Sequence, residues 1–343
     1  MEFIFEYGLF LAKAITILVA ILVVISALVG LGQKTRRTDK GYIEVRNMND
    51  NMDNITNTLK SAVLNKSALK QDKKDSKKKR KEEEKTAKQE LKQGGQSRSR
   101  VYVIDFEGDL RASAVSRLRE EVTAILSVAG SNDEVVVKLE SPGGLVHSYG
   151  LAASQLRRIV DRQVPLTVAV DKVAASGGYM MACIANNIIA APFALLGSIG
   201  VVAQMPNFHK LLKNKDVDFD VYTAGEHKRT LTVFGENTEE GRKKFMEELE
   251  DLHDLFKEFV GENRPQVNIS EVATGEAWYG TRALKHALVD ELKTSDEYLY
   301  DKCQEADVFQ VKFVEYRSKL EKMMEKMAHV YTTLTGPSQF PRL

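Results

Sequence analysis

VYVIDF (101–106), EVVVKLE (134–140) and LTVAVD (166–171) are three apolar runs, each bounded by polar or turn-forming residues. Their reading decides the fold. Short runs rich in valine and isoleucine, buried on both faces, suit strands of a covered sheet. Between them the apolar residues take helical spacing, over 112–129 and again over 146–161. Strand, helix, strand in repetition predicts parallel strands with helical crossovers, an α/β domain. Downstream, a small-residue helix is expected over GGYMMACIAN (177–186), and strands over IIAA (188–191) and SIGVV (198–202). Helices are expected near 238–262 and 280–289, a late strand at 308–314 and a charged amphipathic helix at 315–329. The closing TGPSQFPRL reads as a frayed end.

The chain has 343 residues, 43% of them hydrophobic, so a sizeable core can be buried. Its two cysteines, Cys183 and Cys303, are too few for a disulfide scaffold or a four-cysteine zinc site. The net charge of +1 hides a split. Residues 1–100 carry 21 Lys and Arg against 12 Asp and Glu, and the remainder carries 28 against 36. An acidic body argues against nucleic-acid binding, and any basic role falls to the N-terminal third.

From Ala14 to Leu31 runs AITILVAILVVISALVGL, without a charge. Leu9 to Ala12 extend it beyond Lys13, whose long side chain can snorkel, so 9–31 is long enough to span a bilayer. Glu2 and Glu6 occupy what would be the positive region of a signal peptide, and no A-x-A site follows, so an uncleaved anchor is expected. Lys34, Arg36, Arg37 and Lys40 lean toward a cytoplasmic body. The second apolar stretch, Ile188 to Met205, is broken by Pro192, Gly197 and Gly200 and reads as buried strands. Residues 32–100 read as a charged linker, partly disordered. Over 65–100 only Ala68, Leu69, Ala87 and Leu91 are apolar, so little surface is available to offset the entropy of ordering. A transient solvated helix with Glu–Lys pairs, or attraction to anionic headgroups, is the alternative to a plain spacer.

The chemistry concentrates in AASGGYMMA (174–182). Ser176 follows a strand and turn and precedes a helix, beside backbone N–H groups that a helix start leaves unpaired. Gly177 and Gly178 clear the approach. This suits a nucleophile whose attack creates an oxyanion; it also suits an ordinary N-cap. SPGG (141–144) closes a strand and opens onto a helix, and its glycines can aim N–H groups into a cleft, or simply make a turn. A base for Ser176 could be His147 or a lysine. His147 equally reads as an exposed helix residue, and Lys228 in YTAGEHKRTL (222–231) as a loop lysine. A lysine acting as base has to be neutral, which demands burial in an apolar site. Cys183 reads as packing.

Together, AASGGYMMA, GSIGVV (197–202), SPGG and GEHKRT (225–230) resemble peptidase family S49, a family that includes signal-peptide-cleaving and other proteases of the bacterial inner membrane. The resemblance covers essentially the whole chain. It implies a ClpP/crotonase-like fold for the domain at 101–330, followed by a tail at 331–343. It also implies a Ser/Lys dyad without metal or cofactor: Ser176 as nucleophile, Lys228 as general base, Ser198 orienting the lysine, and Gly143, Gly144 and Gly177 around the oxyanion hole. The expected partners are peptide substrates, the lipid bilayer and further copies of the chain. The flanking charges lean cytoplasmic, whereas signal-peptide-cleaving members of the family lean periplasmic. ALVD (287–290) resembles a family turn and reads as packing or subunit contact. Crotonase-like folds also serve acyl-CoA enzymes, and a non-catalytic membrane scaffold is a third class, so fold alone does not choose between functions.

Overall fold

The computed structural model describes residues 6–11, 13, 15–17, 41–92, 98–225 and 228–316. The elements in chain order begin with β1 (Gly41–Asn47), α1 (Met48–Val63) and α2 (Lys66–Lys92). The strand–helix alternation follows: β2 (Arg100–Glu107), α3 (Val115–Leu126), β3 (Glu134–Glu140), α4 (Val146–Asp161), β4 (Leu166–Val170), β5 (Val173–Ala175), α5 (Gly177–Ala182), β6 (Asn187–Ala190) and β7 (Leu195–Gly197). The rest comprises α6 (His209–Lys213), α7 (Glu239–Asn263), α8 (Ile269–Val272), β8 (Ala277–Tyr279), α9 (Gly280–Lys285), β9 (Glu291–Leu292), α10 (Ser295–Glu305) and β10 (Asp307–Glu315).

Seven strands form the main sheet in the order β1-β10-β2-β3-β4-β6-β9, and β5, β7 and β8 form a second, small sheet. From β10 to β9 every neighbouring pair in the main sheet is parallel. Side chains alternate across a strand, and both sets are buried here. Tyr102, Ile104, Phe106, Val135, Val137 and Leu139 face the large core shared with α3, α4 and α5. Val101, Val103 and Val136 face a smaller core made with Leu299, Cys303 and Val308. Covered on both sides, the strands can be continuously apolar, the property that made them legible.

Within 32–100, the stretch expected as a charged, partly disordered linker, residues 41–92 hold β1, α1 and α2, and β1 is the edge strand of the main sheet. Both helices start at a polar cap. Asn47 Oδ1 accepts from the backbone N–H groups of Asn49 and Asp50 at the start of α1, and Asn65 Oδ1 from that of Ala68 in α2. Asn49 then ties α1 to the far end of the chain. Its amide donates to the carbonyls of Cys303 and Ala306, at 2.9 and 3.0 Å, and its oxygen accepts from Val308 N at 2.8 Å. Composition registers none of these contacts.

Three expected boundaries move. The strand predicted at 198–202 is instead Leu195–Gly197, because Ser198 turns the chain with φ 50°. The helix predicted at 177–186 ends at Ala182, and the one predicted at 280–289 ends at Lys285, shortly before Ala287 takes φ 56°. The predicted helix at 315–329 begins where β10 still runs, to Glu315; its part beyond Tyr316 and the tail at 331–343 lie outside the described residues, as does most of the expected anchor at 9–31. Among the described residues no helix is long and apolar enough to cross a membrane.

One buried ion pair braces the region behind the small sheet. Arg264, 2% exposed at the end of α7, donates to both carboxylate oxygens of Asp290, at 2.9 and 2.8 Å, and to the carbonyl of Ala287. Asp290 also accepts from Ile188 N, and the neighbouring Leu288 carbonyl accepts from Tyr179 Oη in α5. The ALVD turn therefore packs within the subunit and anchors the helix that follows Ser176.

Candidate active site

Strands β5 and β7 run parallel with Ala175 opposite Gly197. Each is followed by a serine with positive φ, Ser176 at 51° and Ser198 at 50°. The two serines thus leave adjacent strands at the same level, and Ser176 N donates to Gly197 O at 2.7 Å. Ser176 has ψ −118°, a region that a residue with a Cβ occupies only under strain of about 1–3 kcal/mol. Its hydroxyl does not cap α5, and among the described residues it has no hydrogen-bond partner. The ordinary N-cap reading is thereby excluded. The strained turn holds a half-buried hydroxyl out toward a cavity.

The SPGG turn meets this point. A Cβ on Gly143, which has φ 90°, would lie 2.8 Å from Gly177 N, so only glycine permits the approach. The three glycines expected around an oxyanion hole do come together, in unequal states. Gly143 N donates to the buried Ser141 hydroxyl at 3.1 Å and is committed there. Among the described residues, the N–H groups of Gly144 and Gly177 have no acceptor. These two are the donors free to meet a developing oxyanion.

The cavity beside Ser176 measures about 80 Å³ and is walled mainly by Val146, Met180, Val202, Leu252 and Phe256. It is apolar and small, with room for a modest aliphatic side chain next to the hydroxyl.

The other sequence candidates fall differently. Lys228 lies on an exposed loop, its backbone N–H donating to Gly225 O at 3.2 Å. Among the described residues its amine makes no hydrogen bond to Ser176 or Ser198. It does not line the cavity. Ser198 Oγ donates instead to Gly275 O at 3.2 Å. The expected Ser–Lys contact is therefore not formed in the isolated chain. His147 is exposed on α4. Cys183 is buried, which pushes its thiol up to about 12 and rules out a thiolate nucleophile at neutral pH.

Sequence reasoning missed the polar support beneath the site. Ser141, Tyr149 and the carbonyl of Asp109 form a buried chain under the SPGG turn. His253 on α7 contacts Ile199 O at 3.2 Å, just after Ser198. A serine before PGG and a tyrosine within a helix carry no pattern that would mark them.

Residues 2–156 match the model of the N-terminal region of peptidase family S49, and residues 158–308 match that of peptidase family S49 itself. The chain belongs to this family, as its motifs indicated. It is similar over nearly its whole length to two proteases. One is a probable protease SohB of Haemophilus influenzae, 50% identical over 92% of this chain and 90% of that one. The other is a putative protease SohB of Buchnera aphidicola, 44% identical over 91% of each. Among solved structures, a membrane-bound stomatin-specific protease aligns over 68% of this chain and 100% of its own at 12% identity, with a TM-score of 0.41.

Proposed function

We propose that this member of a peptidase family is a membrane-anchored serine endopeptidase of the bacterial inner membrane, cleaving membrane-derived, signal-peptide-like or misfolded polypeptides with Ser176 as nucleophile and Lys228 as base. The observation that carries the reading is the Ser176 hydroxyl, uncapped on a strained turn at a cavity that Gly144 and Gly177, with their free N–H groups, also line. In the reaction, neutral Lys228 takes the hydroxyl proton as the oxygen attacks a peptide carbonyl. The two N–H groups hold the oxyanion, the lysine returns the proton to the leaving amine, and water releases the acyl group. No cofactor or metal enters these steps.

Lys228 needs a dry setting that the isolated chain leaves open. Bound substrate and a second copy of the chain are the available cover, and the segment around the lysine supports the latter. Phe234 packs against both Phe208 and Phe219, yet each of the three is more than 40% exposed, and Val202 and Tyr222 in the same segment are 80% and 90% exposed. Such a patch suits association into a homo-oligomer. The uncharged run at 14–31 supports anchoring in the bilayer.

The direct test exposes the full-length protein to an acylating peptide inhibitor and locates the adduct by mass spectrometry. Modification of Ser176 is expected; binding of a CoA ester without modification would instead favour an acyl-CoA enzyme. Lys228→Arg keeps a long cationic side chain but can never become the neutral base that the reaction needs. It is expected to lower kcat by about 10³-fold, as loss of a general base does, with little change in peptide affinity; unchanged turnover would remove Lys228 from the mechanism. The apolar cavity should receive the side chain before the scissile bond. Leu252→Ala, on the cavity wall, is expected to raise kcat/KM for a bulkier residue there by about 10-fold relative to alanine, measured with a matched peptide pair.

A further inference from the structure

A single buried tyrosine lies under both free donors of the site. Tyr149, on α4, is fully buried. Its ring supports one donor: a Cβ on Gly177 would collide with Tyr149 Cγ, so the ring lies flush against the Gly177 backbone. Its hydroxyl supports the other through a chain whose polarity can be assigned. Tyr149 Oη donates to the Asp109 carbonyl at 2.8 Å, which commits its proton. It therefore accepts in its 2.5 Å contact with Ser141 Oγ, and Ser141 donates. Ser141 Oγ in turn accepts the N–H of Gly143 at 3.1 Å. The sequence is Gly143 N–H, Ser141 O–H, Tyr149 O–H, Asp109 C=O, with every proton pointing the same way. Such chains strengthen one another. Burial holds the phenol above its ordinary value, so it stays protonated across the neutral range.

The chain fixes the peptide that carries the Gly143 N–H, the near side of the turn from which the Gly143–Gly144 peptide departs. The outer side of the same turn is pinned independently: Leu145 N donates to Leu110 O at 2.8 Å, and Gly144 is pressed against that carbonyl. Asp109 ends the chain on rigid backbone. Its carboxylate accepts from Arg111 N, Ser113 N and the Ser113 hydroxyl. The ring thus backs the Gly177 peptide, while the relay and the Leu145–Leu110 bond hold the two sides of the turn that carries Gly144.

We propose that Tyr149 and Ser141 are positioning residues of the oxyanion hole, holding the Gly144 and Gly177 N–H groups at the spacing that a tetrahedral oxyanion requires. The proposal rests on the serine-peptidase reading. Neither side chain touches the substrate, so their effect is confined to the transition state.

Tyr149→Phe keeps the ring and removes the relay. Its kcat on a peptide substrate is expected to fall by about 10–100-fold, the scale of a misplaced catalytic group, with KM within about twofold. A peptide aldehyde, whose adduct with Ser176 places an oxyanion in the hole, should lose affinity by the same factor as kcat. The affinity of the uncleaved peptide, measured in a Ser176→Ala background, should not move. Ser141→Ala, a smaller truncation that serves should Tyr149→Phe fold poorly, should give a similar loss. The double variant should lose no more than either single one, because both cut the same relay. The inference is overturned if either variant turns over like the wild type, if losses appear in KM and ground-state binding, or if aldehyde affinity is unchanged. Wild-type protein without Ser176-dependent cleavage would overturn the peptidase reading, and this inference with it. Ser176-dependent cleavage that is indifferent to Tyr149 and Ser141 would overturn the inference alone.

Discussion

Under the proposed mechanism, peptide cleavage is expected to fall by about 10³-fold or more when Ser176 becomes alanine, with the protein still folded and still able to bind peptide. The size follows from what remains: without the nucleophile, the two N–H donors and the substrate cavity retain only the residual catalysis typical of a site stripped of its attacking group. The same position makes a second, opposite-signed prediction about stability. Ser176 has a Cβ at φ 51°, ψ −118°, and alanine inherits that strain, whereas glycine does not. Ser176→Gly should therefore be more stable than Ser176→Ala by about 1 kcal/mol, after allowance for the larger unfolded-state entropy of glycine. Matched peptide assays and urea unfolding of the two variants check both statements. Equal stability would mean that the turn relaxes freely and stores no strain at the nucleophile.

The largest effect on stability is expected at Asp290. Arg264 is 2% exposed, and its guanidinium depends on that carboxylate for two hydrogen bonds. Asp290→Ala strands a buried charge and also deprives Ile188 N of its acceptor. Removing one partner of a buried pair costs about 3–5 kcal/mol. The Asp290 side chain is 32% exposed, so water can reach part of the vacated space, and the lower end, about 3 kcal/mol, is expected. Arg264→Met should be milder, because it withdraws the buried charge and leaves the carboxylate near solvent. Denaturant midpoints of the two variants test the ordering. If Arg264→Met proves the more damaging, packing by the long arginine stem outweighs its charge.

The elements of the sheet were readable because their burial is two-sided. Val101, Val103, Tyr102 and Ile104 are all apolar since each face of β2 meets its own core, and the helices of the crossovers carry the complementary spacing. Elements set by single contacts were not readable. The end of β7 depends on the positive φ of Ser198, and the starts of α1 and α2 and the tie of α1 to residues 303–308 depend on Asn47, Asn65 and Asn49, polar residues that look like any surface asparagine until their partners are known. The site divides in the same way. SPGG and SGG announced themselves because close backbone approach admits only glycine, as the fit of Gly143 against Gly177 bears out. Their inequality was hidden, since nothing in the string tells which glycine N–H is already taken by a serine two residues earlier. Lys228 has no local signature, and only the family resemblance singles it out.

The asparagine clasp changes what severing the chain would do. Trypsin would find abundant targets in the lysine-rich α2, yet a nick there would not by itself liberate the fragment upstream. Asn49 would still grip the backbone of Cys303, Ala306 and Val308 on the far side of the break. The covalent leash is in this sense backed by a noncovalent one, and detachment would require the terminal strand pairing to come apart as well.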